Sequence, residues 1–231
     1  MLTAGLEVLR IQQSLAARRS NLVAELLHGE DEFFERRHYP AGDVYDPETG
    51  AQYYYHAHRS DPREHGHFHI FQRPHVLSER FEPMRHAKPG IGRCAGEPQV
   101  GAHWPRGEAA LAHIVGVAMD NYGLPIRLFT VNRWVTDETW YAARDVITML
   151  DHFEIRSRRT VPEVNGWIAG LLRLFQPEIV ELVRRRDAAV EARARANPHG
   201  DALEDRSLEV TAALDISVER RVRQLRRSLA A

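Results

Sequence analysis

Five of the thirteen histidines fall between positions 56 and 69, in His56-Ala57-His58 and His65-Gly66-His67-Phe68-His69. Imidazole is the most common protein metal ligand and the side chain whose ordinary pKa lies closest to neutrality. Such clustering therefore points to metal coordination or to proton and phosphoryl chemistry. Side chains alternate between the faces of a strand, so His56 and His58 share one face, and His65, His67 and His69 share one face of a second strand. A divalent transition ion takes three or four nitrogen or oxygen ligands at about 2.0 to 2.2 Å, and a vacant position among them suits catalysis.

Whether the two sets meet depends on the turn between them. Proline fits the second position of a type I turn, so Asp61-Pro62-Arg63-Glu64 reads as a four-residue loop closed by Ser60 opposite His65. This register sets His58 opposite His67, His56 opposite His69 and Tyr54 opposite Phe71, with all five histidines on one face. A loop one residue longer or shorter would split them. Directly opposed Cβ atoms lie about 4.5 to 5.5 Å apart, near enough for the rings to converge on one ion. His56, His58, His67 and His69 are the candidate ligands for Zn²⁺ or Fe²⁺, and Glu64, His65 and Tyr54 are candidate neighbours. Tyr53, Tyr55, Ala57, Gly66, Phe68 and Ile70 fall on the other face, which reads as a packing surface. The plainer alternative is a solvated histidine-rich face. His38, His75, His86, His103 and His113 stand alone in the sequence and read as satisfied or exposed.

The elements that must carry these residues follow from periodicity. Residues 3–28 read as a helix stopped by Gly29, and prolines and glycines punctuate 38–110 into short extended runs and loops, with a long loop over 83–108. One hairpin joins 52–59 to 65–72, and a second joins 111–119 to 124–131 across Asp120-Asn121-Tyr122-Gly123. From Thr136 onward the pattern is helical, with Trp140, Ala143, Ile147, Leu150 and Phe153 as one stripe. Thr160-Val161-Pro162-Glu163 is a capping box, and a last helix carries Leu214, Val218, Leu225 and Leu229. The expected architecture is α+β: an antiparallel sheet of about four strands within 50–133, covered by an N-terminal helix and by helices over 136–231, in a single domain spanning 1–231. At the end of the fourth strand, Arg133 of Asn132-Arg133-Trp134 either binds a carboxylate or phosphate at a pocket mouth or pairs with Asp137 or Glu138.

Composition narrows the function class. With 31 basic against 32 acidic residues there is no general field for nucleic acid or an anionic membrane, so neither is expected as a partner. The single Cys94 excludes an internal disulfide, and no signal-peptide core or membrane-length apolar run is present, so the cytoplasm is the expected location. A small-molecule substrate at the hairpin fits this picture, as does homo-oligomer formation through the histidine face.

Three resemblances bear on the segment. Gly50, five residues, His56-x-His58, five residues and Glu64 resemble the first cupin motif, which implies two histidines and a glutamate around a metal inside a β-barrel. His65-Gly66-His67-Phe68-His69-Ile70-Phe71 looks like the histidine-triad signature, which implies His67 as the nucleophile toward a nucleotide phosphate. The broadest resemblance rests on Gly42-Asp43-Val44-Tyr45-Asp46-Pro47, Tyr55-His56-Ala57-His58-Arg59, Glu64-His65-Gly66-His67-Phe68-His69, Asn132-Arg133-Trp134-Val135-Thr136 and Asp205-Arg206-Ser207-Leu208-Glu209-Val210. These blocks look like a bacterial family known only as a domain of unknown function; that likeness implies one bacterial unit and carries over no catalytic residue. Taken together, the residues support a metal-binding protein, read as a metalloenzyme of undetermined reaction. The alternatives are phosphoryl or nucleotidyl transfer through His67, and a non-catalytic binding or assembly module that responds to pH.

Overall fold

Six strands pair antiparallel in sequence order: β1 (Tyr39–Tyr45), β2 (Ala51–His56), β3 (Gly66–Gln72), β4 (Ala112–Met119), β5 (Pro125–Val131) and β6 (Val210–Asp215). The computed structural model describes residues 1–30, 32–58, 61–84, 103–160 and 162–230. Seven α-helices flank the sheet among these residues: α1 (Leu2–Ala17), α2 (Leu22–Leu26), α3 (Arg133–Thr136), α4 (Ala143–Asp151), α5 (Pro162–Leu174), α6 (Gln176–Ala196) and α7 (Val218–Ala230). None is long and apolar enough to cross a membrane.

The sheet is wider than the expected four strands, for identifiable reasons. β1 lies in the proline- and glycine-punctuated stretch, where Gly42 and Asp43 take positive φ of 75° and 58° and its register against β2 shifts between Tyr39 and Val44. That irregularity erases the period-two signal from the sequence. β6 falls where a helix was expected. It is an edge strand whose only buried residue is Ala212, while Val210 and Leu214 are exposed, so it lacks a clean alternating pattern. After α3 to α6 the chain returns to pair β6 with β5, with Phe129 opposite Ala213 and Arg127 opposite Asp215.

Helix boundaries also moved. The helix expected over 3–28 is two helices, broken by Arg19 at φ 57° and restarted by Asn21, whose side chain accepts from Ala24 N at 2.9 Å. Asn132 rather than Thr136 opens the next helix, and Asp137 at φ 53° ends it after one turn. Trp140 precedes α4 and packs with Trp104, Val190 and Leu203 in a cluster of its own. The second hairpin is as expected, with Gly123 at φ 73° and Asp120 N bonded to Leu124 O at 2.9 Å. Val161 of the capping box, Ser60 of the first turn, and His86 and Cys94 of the 83–108 stretch lie outside the described residues.

One face of the sheet is the packing surface that the tyrosine and phenylalanine alternation implies. Tyr53, Tyr55, Phe68 and Ile70 are fully buried in one core with Val8 and Leu15 of α1, Val146 of α4, Trp167 and Ile168 of α5 and Ile179 of α6. Burying side chains of this size contributes about 1.5 to 3 kcal/mol each. A polar tie adds direction: Tyr53 Oη donates to Asn165 Oδ1 at 2.8 Å, locking β2 to α5. The opposite face carries the histidines, and its floor is set by Phe129 on β5.

The tip of that ring sits over Gly116, its pairing partner on the neighbouring β4. A Cβ at position 116 would sit 2.3 Å from the Phe129 ring, a distance real side chains cannot adopt. Glycine is needed there because the ring occupies the missing side chain's place, and from there it makes edge contacts with His67 and His69 at centroid distances of 5.3 and 5.7 Å. Gly116→Val keeps strand propensity but forces the ring away. It should lower unfolding free energy by about 1 to 3 kcal/mol in urea titration, and Phe129→Ala in the same chain should recover part of the loss. An unchanged midpoint for Gly116→Val would reject this packing.

Candidate metal centre

The β2–β3 register brings the histidines together, two residues away from the expected pairing. His56 is opposite His67, Tyr54 opposite His69, and Gln52 opposite Phe71. A shift of two preserves side-chain parity, so His56, His67 and His69 still share a face. The connection between the strands is longer than the four-residue loop inferred from Pro62, because β2 ends at His56 and β3 starts at Gly66.

One ring nitrogen from each of His56, His67 and His69 lies within 4.8 Å of the other two. His56 Nε2 and His67 Nε2 are 2.6 Å apart. Opposite them, His67 Nδ1 lies 2.5 Å from Glu64 Oε1. The carboxylate is an acceptor, so it places the His67 proton on Nδ1 and leaves Nε2 with a lone pair directed at His56. Two lone pairs cannot face each other at that separation; an electrophile, either a proton or a cation, has to lie between them. The third ring, His69, is bonded through Nδ1 to His113 Nε2 at 3.0 Å, which leaves its Nε2 free.

Burial favours the neutral, lone-pair-donating form of His56 and His69. His67 and His69 are 3% and 1% exposed. Desolvation, followed by the neighbouring His67, pushes His56 down to about 3. His69 is held well below its ordinary value by the same burial and by His67 and His113. His113 is pushed down to about 3, chiefly by burial and then by Arg186. Behind it, Glu138 is fully buried and accepts the His113 backbone N–H at 2.6 Å. Its carboxyl is pushed up to about 7 because loss of solvent outweighs the help of Arg186.

The other candidates from the sequence fall into three groups. His58 borders the cluster, its ring centroid 4.9 Å from His67 and 5.5 Å from His56, and it lines the adjoining cleft. Glu64 orients His67, and Tyr54 packs beside His69 at a centroid distance of 5.3 Å. His65 and Arg133 lie elsewhere. His65 turns to the packing side, where its Nδ1 is 2.7 Å from Tyr55 Oη and its ring meets Phe33. It precedes the regular ladder, so strand alternation does not govern it, and the three alternating histidines do not form one group. Arg133 is buried and bonded to Glu204 Oε1 at 2.5 Å, Asp137 Oδ1 at 3.0 Å and the Glu138 carbonyl. Its guanidinium is consumed by these internal partners.

Two histidines that looked isolated join the centre. His113 becomes the partner of His69 because the β3–β4 ladder shifts after Ile70 and sets His113 opposite Phe71. His38 stacks on Tyr54 at 3.6 Å and meets His56 edge-on at 5.7 Å, while its Nδ1 is 3.0 Å from Asp43 Oδ1. The His113 contact joins β3 to β4 across 44 positions, whereas His38 precedes β1 and reaches over to the neighbouring β2.

The depressed imidazoles make acid stability a test of this burial. Between pH 6.5 and about 3 the unfolded chain takes up protons that folded His56, His69 and His113 refuse, so folding weakens as pH falls. Glu138 acts in the opposite sense between 4.5 and about 7, since it stays protonated when folded. Three imidazoles outweigh one carboxyl. In chelator, the urea midpoint should fall steadily from about pH 7 to about pH 5. A flat or rising midpoint would mean these rings are not buried as described.

Comparison with curated proteins finds no match, and comparison with solved structures finds none either. A family model does match, over residues 2–216, and so takes in every strand and all the histidines of the centre. The chain belongs to the family described as Domain of unknown function (DUF6969).

Proposed function

We propose that this protein binds one divalent transition metal through His56, His67 and His69 and that the site is the reacting centre of a metalloenzyme. The observation that carries the reading is the 2.6 Å approach of two largely enclosed imidazole nitrogens, one of whose rings has its other nitrogen already engaged by Glu64. A cation with ligand distances of about 2.0 to 2.1 Å satisfies both lone pairs once the rings open slightly. The arrangement also has the outer support that metal histidines ordinarily carry: a carboxylate on His67 and an imidazole on His69.

Three neutral nitrogen ligands leave the full charge of the ion in place. Zn²⁺ in such a set acts as a Lewis acid and lowers the pKa of a bound water to about 7, and Fe²⁺ in the same set keeps positions open for a second ligand. The cleft lined by His58, Asp61, Glu64, Arg127, Phe129 and the β6 edge also reaches His67 and His69, so a small molecule held there would lie beside the ion. His58, expected from the sequence as a ligand, is not in the group of ring nitrogens that lie within 4.8 Å of one another; it lines the cleft, its pKa lowered by burial and by His67, and in this reading it accepts a proton there. The reading therefore supports metal-assisted chemistry on a small molecule, with the reaction left open.

Purified protein should carry one equivalent of Zn²⁺ or Fe²⁺ by elemental analysis, and its melting temperature should rise on adding the metal to stripped protein. His67→Ala should abolish both. Glu64→Gln should keep the stoichiometry while weakening affinity by about 10- to 100-fold. Protein that neither retains metal nor gains thermal stability with Zn²⁺, Fe²⁺ or Mn²⁺ would refute the reading.

A further inference from the structure

The cleft beside the histidines has its own chemistry. Its apolar side is formed by Phe129, Val131, Val135, Val210 and Ala213, of which Phe129, Val131, Val135 and Ala213 belong to one hydrophobic cluster with Ala118. Its free space is about 120 Å³. An apolar cavity of about 150 Å³ holds benzene, so this one suits a body of ring size or a short alkyl chain. A body of that size placed against these walls leaves its polar ends at the histidines and at the mouth.

Charge decides what the mouth accepts. The charged residues lining the cleft are Asp61, Glu64, Glu209 and Arg127. Arg127 is taken up by Asp215 Oδ1 at 2.8 Å and Asp61 Oδ2 at 3.3 Å. Glu64 is taken up by His67. Asp61 is held at about 2 by Arg63 and stays anionic. Glu209 is exposed, and among the described residues its side chain has no hydrogen bond or ion pair; it acts on His58, which also feels Arg36 from outside the lining. The described lining thus offers an uncommitted carboxylate and no uncommitted cation.

We propose that the cleft takes a small amine, with a cationic group at Glu209, an apolar body of ring size on Phe129, Val131 and Ala213, and its reacting end at the histidines. This rests on reading the histidine cluster as the reacting centre, but the selectivity comes from the walls and the mouth. It is therefore present with or without metal. Carboxylates and phosphates of the same size are disfavoured because they meet Glu209 and Asp61 with no spare guanidinium among the described lining residues.

Benzylamine, benzyl alcohol and benzoate have nearly the same shape and differ in charge. Calorimetric titration of each into stripped and into metal-loaded protein should rank benzylamine first and benzoate last, with about a tenfold ratio between them. Glu209→Gln should reduce that ratio to about twofold, since a single carboxylate supplies most of the preference. Benzoate binding as well as or better than benzylamine, an unchanged ratio in the variant, or no binding of any of the three would overturn the inference. Absence of metal with the ranking intact would defeat only the metal reading; a metal-loaded protein without the ranking would defeat only this one.

Discussion

The approach of His56 to His67 across β2 and β3 is the contact on which the site depends. His56 Nε2 and His67 Nε2 approach to 2.6 Å, and at that separation either a proton carried by one of them or a cation must lie between. The fold holds them there from both sides. Glu64 anchors the far edge of His67, and Tyr54 and Phe129 pack around the rings so that neither can rotate away. Desolvation prevents the simplest relief, charging and moving apart, since His56 is held at about 3.

Both faces of the sheet are committed. The tyrosine and phenylalanine face is consumed by the helical core, with Tyr53 tied to Asn165 and Phe68 near Trp167. The histidine face is enclosed by polar and aromatic residues instead of helical apolar stripes: His38 over Tyr54, His113 behind His69, and the Phe129 ring in the space left by Gly116. A buried polar face is costly where groups lack partners; here a chain runs from Glu138 through the backbone of His113 to His69, while among the described residues His113 Nδ1 has no hydrogen-bond partner. That chain ends at the cleft, where the lining changes from imidazole to valine and carboxylate.

The helical core was legible where periodicity was strong. α5 opens at Pro162, where the capping box puts a helix start, and the Gly123 turn closes as its sequence implies. The strands at the two edges were not, because an edge strand has one pairing neighbour and needs no regular apolar alternation. β1 is interrupted by Gly42 and Asp43, and β6 buries only Ala212. Arg133 illustrates the same limit for chemistry: its type suits an anion site, yet Glu204, far along the chain, claims it.

By itself the sequence determined that His67 and His69 share one face of their strand with Phe68 and Ile70 on the other, and that His56 lies opposite in face to Tyr53 and Tyr55 on its own strand, because alternation is a local property of strand backbone. It did not determine which histidine faces which. That depends on the length of the connection and on the ladder hydrogen bonds, and a two-residue slip leaves the parity intact. Tertiary structure alone decided that His65 leaves the group and that His38 and His113 enter it, since these positions are set by where β1, β4 and Phe33 come to rest. It also decided the cleft, whose walls are drawn from the β2–β3 connection, β5 and β6, the last brought there only by its late pairing with β5.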